Sequence, residues 1–449
     1  MPVNWLTEII ARGKEVALVD GADRVTFAWL ANEIELQIEG LRQHKVSAGD
    51  PVILNSDFSI PGIVTLLALA CLKAIAIPIV NLRQELIPVL RSECGARFLI
   101  TPSQEGGIEP LGASGDHELY GTLRQRNASG LVLLSSGSTG KPKAILHDFD
   151  RLLQIRKKPG AHNHVSVLLF LLFDHIGGLN TLIKTLLSGG TAVIPGARHP
   201  DAICATIEAQ RVNVLPTTPT FLNLVLLSGA YTRHDLSSLR LVTYGTEPMP
   251  EELLARLRAT FPKIRFVQTF GTSETGIATT RGPRSASALF KIDSDSQEFR
   301  ICDGELQLRS SNQFIGYLNS SEAAVTEDGW FRTGDAAELT DDGYIRLRGR
   351  LKEVINVGGE KVIPLELETI LLGHPEVADC VVYGMPNAIT GQAVWVDVLP
   401  KGPMNKSELQ KSIHEFLGER VPRFKIPSRV TLVDHIQMSD RFKKKRVRL

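Results

Sequence analysis

The sequence predicts an α/β fold: a large N-terminal domain of layered α/β sheets carrying a β-rich subdomain, and a small α+β C-terminal domain. Three observations predict it. From Thr26 to Gly271 apolar strand segments alternate with helical ones, the rhythm of parallel sheets covered on both faces. After about Pro283 short β segments separated by Gly and Asp take over, which reads as antiparallel hairpins. From Leu351 a second, smaller α/β pattern begins. At 449 residues the chain is too long for one ordinary core, so packed units are expected.

Taken in order, WLANEIELQIEGLRQHK is an amphipathic helix, Ala48-Gly49-Asp50 a turn and PVILN a strand. The apolar run Ile63 to Val80 is long enough to raise a membrane-spanning reading. Lys73 inside it and Pro78 near its end favour a buried helix to about Cys71 and then a strand, IAIPIV. A helix is expected from Leu82 to Cys94, then the strand ARFLI. TAVIP, VNVLP, LRLVTYG and IRFVQTFG are strands. ICATIEAQ is a helix, as is MPEELLARLRATFP with Pro250 at its start. FRICDGELQLRS, WFRTGDAAEL and DGYIRLRGR read as hairpin segments. In the last part VIPLELETILLGH is helical in its later half and VADCVVYG and AVWVDVLP are strands. SELQKSIHEFLGERV is a helix opened by Ser407. The boundary falls at Arg348 to Lys352, giving domains 1–349 and 350–449.

The composition excludes several classes. Net charge is +1, so no global field attracts nucleic acid or membrane. Five scattered cysteines without a CxxC argue against a disulfide framework or zinc site and fit a reducing compartment. The N-terminus lacks a basic start followed by an apolar stretch, so no signal peptide is read and a cytoplasmic location is expected.

The most informative segment is LVLLSSGSTGKPKAILH. A strand, Leu131 to Leu134, runs into Ser135, Ser136, Gly137, Ser138, Thr139, Gly140, Lys141, Pro142 and Lys143. Small residues let backbone N–H groups approach phosphate oxygens, hydroxyls add donors and lysines add charge. A Walker A loop needs Gly five residues before Gly140 and Ser or Thr after the lysine. Ser135 and Pro142 stand there instead. By composition alone a Gly/Ser surface linker remains an alternative.

SSGSTGKPK resembles the phosphate-binding signature of the adenylate-forming (ANL) superfamily, which includes acyl-CoA synthetases, firefly luciferase and nonribosomal peptide adenylation domains. Further segments resemble it in the same order: Tyr244-Gly245-Thr246-Glu247-Pro248, Phe270-Gly271-Thr272-Ser273-Glu274, Gly304-Glu305-Leu306, Gly316-Tyr317-Leu318-Asn319, Thr333-Gly334-Asp335 and Gly349-Arg350. Phe270 and Ser273 replace the family's Tyr and Thr. The resemblance implies activation of a carboxylic acid by ATP and Mg²⁺ to an acyl-adenylate, with pyrophosphate released. It then implies transfer to a thiol, coenzyme A first and a carrier protein or an amine as alternatives. No carrier domain follows Leu449, so stand-alone action is expected.

In that scheme Glu274 helps hold Mg²⁺, and Ser138, Thr139 and Lys143 meet the phosphate charge. Gly245, Thr246 and Glu247 lie against adenine, and Asp335 and Arg350 serve the ribose. The small domain rotates about Lys352 between two half-reactions, bringing the Gly358-Gly359 turn to the thiol. Aligning Met438-Ser439 makes Lys443 the adenylation lysine, with Phe442 where glycine is usual and Lys444 or Lys445 as substitutes. His175 takes the position beside the reacting carboxylate, with a structural histidine as the other reading. Phe170, Phe173 and Phe221 suggest an apolar wall, or core. Asp174 allows an amino-acid substrate, since a buried ammonium needs a counter-charge.

Overall fold

The computed structural model describes residues 4–102, 107–112, 115–135, 142–154, 164–282, 288–293 and 297–446. Two seven-stranded sheets form the large domain. In the first, Pro51–Asn55 pairs in parallel with Ile75–Ile79 and with Phe98–Thr101, and Ile75–Ile79 pairs with Gly130–Ser135. Lys143–Asp148 returns antiparallel to Gly130–Ser135, and Gly316–Tyr317 adds an edge strand to it. The second sheet sets Val16–Asp20, Ser166–Leu168, Thr191–Ile194, Val214–Thr217, Leu241–Tyr244 and Arg265–Gln268 in parallel, with Asp23–Thr26 antiparallel at one edge.

Three helices, Phe27–Gln43, Ile60–Cys71 and Ile176–Leu187, contribute to one buried cluster shared by both sheets. Strands buried on both faces read as continuous apolar runs, which is why PVILN and IAIPI carry so few polar residues. The apolar run resolves as the Ile60–Cys71 helix, capped by Ser59, followed by the Ile75–Ile79 strand. Among the described residues no helix is long and apolar enough to cross a membrane.

A four-stranded antiparallel sheet follows, Glu298–Cys302, Glu305–Arg309, Phe331–Leu339 and Ile345–Arg350. Asp303 and Gly304 turn its first hairpin with φ of 51° and 76°, the primed-turn geometry that Asp-Gly favours. The small domain is a sheet of Glu360–Val362, Ile355–Val357, Gly391–Pro400 and Val377–Asn387, with Arg429–Leu432 parallel to Gly391–Pro400. Helices Pro364–Leu372 and Lys406–Gly418 pack on it around its own core.

Two boundaries differ from expectation. The helix expected from Leu82 begins at Leu86, which puts Pro88 in the first turn, where its missing N–H costs nothing. The helix expected to open at Ser407 starts one residue earlier. Asn405 is its cap and accepts from the Ser407 N–H at 2.8 Å, so Ser407 supplies an orphan donor rather than the cap.

Candidate active site

The ends of the two large sheets, the β-rich sheet and the C-terminal tail meet around one cavity of about 1350 Å³. Ser135 closes one strand at the cavity and Lys143 opens the next, the two being register partners. Ser136, Gly137, Ser138, Thr139 and Gly140 lie outside the described residues. The Lys143 ammonium sits 4.9 Å from the centroid of the Tyr317 ring and ion-pairs with Glu322. The Tyr317 hydroxyl donates to the Glu274 carboxylate at 2.9 Å, and burial with that neighbouring charge drives the phenol pKa up.

Glu274 is held by its surroundings. It sits in the tight turn between Phe270–Thr272 and Gly276–Ala278, where Thr272 Oγ1 accepts from the Glu274 N–H at 3.2 Å and the Thr275 N–H at 3.1 Å. Its carbonyl accepts from Phe314 N–H at 2.7 Å. Gly271 is required by close approach: a Cβ there would lie 2.2 Å from the Gly276 carbonyl oxygen. Phe270 and Ser273 also line the cavity, and the Phe270 ring stacks on Phe290 at 5.5 Å.

Opposite, Gly245, Thr246 and Glu247 follow the Leu241–Tyr244 strand into the cavity. Thr246 holds φ of 69°, and its buried hydroxyl has no partner among the described residues. Glu247 accepts from the Thr220 N–H at 2.7 Å, and burial raises its carboxyl pKa. Asp335 and Arg350 are register partners on adjacent strands, with Nε 2.9 Å from Oδ1. Arg350 also donates to the Thr333 carbonyl at 2.8 Å, and burial raises the Asp335 pKa against the pull of Arg350.

The C-terminal tail separates the three candidate lysines. Lys444 is tied down, donating to Asp379 at 2.6 Å and to the Cys380 carbonyl at 2.8 Å. Lys445 is exposed. Lys443 lines the cavity, and burial, with Arg350 and Arg441 adding to it, pulls its ammonium down to about 8. Lys352 lines the same cavity. Gly358 and Gly359 do not. They form the exposed tip of the Ile355–Val357 and Glu360–Val362 hairpin.

Phe442, beside Lys443, adopts φ of 52°, the left-handed conformation that suits the glycine usual there. Its ring packs 5.2 Å from Phe170 and 5.4 Å from Phe221, and its carbonyl accepts from Thr218 Oγ1 at 3.1 Å. Sequence reasoning missed this contact, as it missed the roles of Glu322 and Tyr317 around Lys143. Each joins segments far apart in the chain.

His175 caps the Ile176–Leu187 helix, Nδ1 accepting from the Gly177 N–H at 3.2 Å. Burial and the cations Lys443 and Arg441 hold its pKa well below the usual histidine range, so the ring is neutral. Of the two readings of the phenylalanines, wall or core, Phe173 and Phe221 take the core one, while Phe170 lines a small pocket with His175, Thr246 and Lys443. Phe173 is fully buried against Phe58, and Phe221 packs on Phe170 and Phe442 rather than lining the large cavity. Asp174 lies off the cavity lining, with one oxygen facing the Val80 N–H at 3.4 Å.

Among the described residues no group of three or more His, Cys, Asp or Glu could hold a metal. Glu274, one of the carboxylates lining the cavity, nevertheless fits Mg²⁺, which keeps waters and binds through one or two carboxylates and substrate phosphates.

The chain also matches known proteins along most of its length. A profile described as AMP-binding enzyme matches residues 10–318, and one described as AMP-binding enzyme C-terminal domain matches 366–443. "Probable CoA ligase CCL5" of Humulus lupulus is 31% identical over 68% of this chain, which spans 60% of that protein's length. The solved anthranilate CoA ligase AuaEII in complex with anthranoyl-AMP superposes with a TM-score of 0.79 at 22% identity, over 99% of this chain and 96% of that one. The amide bond synthetase McbA K483A mutant from Marinactinospora thermotolerans gives 0.77 at 21%, over 98% and 97%.

Proposed function

This chain belongs to the AMP-binding enzyme family, and from that premise we propose that it activates a carboxylic acid with ATP and transfers the acyl group to coenzyme A. One observation carries the reading: Ser135, Lys143, Glu274, Asp335, Arg350 and Lys443, drawn from four parts of the chain, line a single cavity with His175.

In the first half-reaction a carboxylate oxygen attacks the α-phosphorus. The P–O bond to the bridging oxygen breaks, and its electron pair leaves with pyrophosphate. Lys443 and Lys143 are the cations that meet the charge developing on the phosphates, worth most in a water-poor cavity. Asp335 accepts from the ribose hydroxyls and Arg350 orients it. Gly245 and Thr246 flank the base. Neutral His175 donates or accepts at the reacting carboxylate without competing as a cation. Glu274 would hold Mg²⁺, which when bound would supply neutralising charge to the phosphates. In the second half-reaction the thiol sulfur attacks the acyl carbon and AMP leaves. The Gly358-Gly359 hairpin, exposed here, reaches the cavity once the small domain turns about Lys352.

The test is exchange of labelled pyrophosphate into ATP across a panel of acids, followed by coenzyme A consumption. Acid-dependent exchange with thioester formation is expected. Exchange without thiol consumption removes coenzyme A as acceptor and leaves a carrier protein or an amine, an acceptor in keeping with the fold shared with an amide bond synthetase.

A further inference from the structure

The helix that starts beside His175 carries a cation that the chemistry above does not use. Lys184 lies two turns along Ile176–Leu187 and lines the cavity together with Asn180, Thr181 and Ser188 on the same helical stripe. It is half-buried, and among the described residues no carboxylate pairs with it. The carboxylates lining the cavity, Glu247, Glu274, Glu305, Glu322, Asp335 and Glu353, all come from segments beyond Tyr244 that build the nucleotide side. Thr181 and Thr185 spend their hydroxyl hydrogens on carbonyls one turn back, at 2.7 Å each. Among the described residues Lys184 and Asn180 therefore remain the side-chain donors of this helix without a hydrogen-bond partner. The helix dipole favours a cation in the last turn, but the terminal carbonyls already accept, Lys184 O from Ser188 N–H, Thr185 O from Gly190 N–H, Leu186 O from Gly189 N–H and Leu187 O from the Arg12 guanidinium. Burial also lowers the Lys184 pKa, as expected of an ammonium whose counter-charge is not part of the chain.

We infer that Lys184 is a specificity-determining residue that selects acids bearing a second carboxylate at the end remote from the one activated. This rests on the activation reading above. Gly177, whose N–H bonds to His175, and Lys184 are seven residues apart, about 10 Å along the helix, which sets the scale for the separation between the two carboxylates of the selected acid. An uncharged tail in the same place leaves the lysine desolvated and unpaired, which disfavours monoacids of equal length.

The experiment uses the full chain, wild type, Lys184→Met and Lys184→Arg, with straight-chain α,ω-dicarboxylic acids and monocarboxylic acids of matched length. Pyrophosphate exchange gives kcat and KM, and calorimetry gives acid binding without turnover. Wild type is expected to prefer a diacid, and Lys184→Met to raise its KM by roughly 10- to 1000-fold while leaving monoacids within about threefold. Lys184→Arg, which keeps the charge, should retain the preference, and the Met variant keeps the apolar stem that packs. Equal use of monoacids and diacids by wild type, or a preference unchanged in Lys184→Met, overturns the inference and leaves activation standing. Lys184-dependent diacid binding with no exchange supports the site and overturns activation instead. Neither exchange nor Lys184-dependent binding overturns both.

Discussion

Lys443 owes its position to its neighbours' engagements. Lys443 and Lys444 both line the cavity, but Lys444 is committed to Asp379 and Lys445 to solvent, so of the three only Lys443 brings an ammonium there without a carboxylate pair among the described residues. Lys443→Ala should slow acid-dependent pyrophosphate exchange on the order of 10²- to 10³-fold, the usual cost of one charge-stabilising donor. Transfer to thiol from supplied acyl-adenylate should persist. The sign of the pH dependence follows from burial. The ammonium form dominates below a pKa of about 8 and is lost above it, so exchange should fall as pH rises through that value. Residual activity of Lys443→Arg should lack this alkaline limb, because arginine stays charged. The position of Lys443 was legible from its spacing to Met438 and Ser439. Its distinction from Lys444 was not, since Asp379 lies far earlier in the chain. Phe173, by contrast, could be read as pocket wall or core, because apolar type alone does not separate lining from core.

At the scale of elements, what the sequence states locally is what the structure keeps. Asp303-Gly304 specifies its hairpin, and the apolar run ahead of Pro78 divides into helix and strand where Lys73 interrupts it. Boundaries slipped where two local signals competed, as at Asn405 and Ser407. The tail's anchorage is the part that no local pattern announces. Glu368 on the Pro364–Leu372 helix is 1% exposed. It accepts from the Val382 N–H at 2.9 Å and pairs with Arg446 at 2.7 Å. Removing one partner of a buried pair leaves the other uncompensated, so Glu368→Ala should destabilise the small domain by about 3–5 kcal/mol. Hydrogen exchange over Pro364–Leu372 in the full chain measures this. Protection unchanged from wild type would show that the tail is held elsewhere.

For the whole molecule the question is what docks the small domain so that Lys443 reaches the cavity. Salt links across this junction, such as Arg348 to Glu366 at 3.4 Å, are partly exposed and contribute about 0–1 kcal/mol each. The Phe442 ring between Phe170 and Phe221 contributes more, about 2–3 kcal/mol from burial and ring contacts. It works against a left-handed backbone that costs a non-glycine residue roughly 1–2 kcal/mol. Replacing the ring therefore separates the two effects. Phe442→Ala loses the contact and keeps the strain, while Phe442→Gly loses the contact and relieves the strain. Pyrophosphate exchange should rank wild type above Phe442→Gly, and Phe442→Gly above Phe442→Ala, the last by about tenfold or more below wild type. Under the proposed two-step scheme thiol transfer from supplied acyl-adenylate should stay level across all three, because in that scheme the small domain turns away and withdraws the ring. A parallel loss of both half-reactions would mean that Phe442 stabilises the fold as a whole rather than one arrangement of its domains.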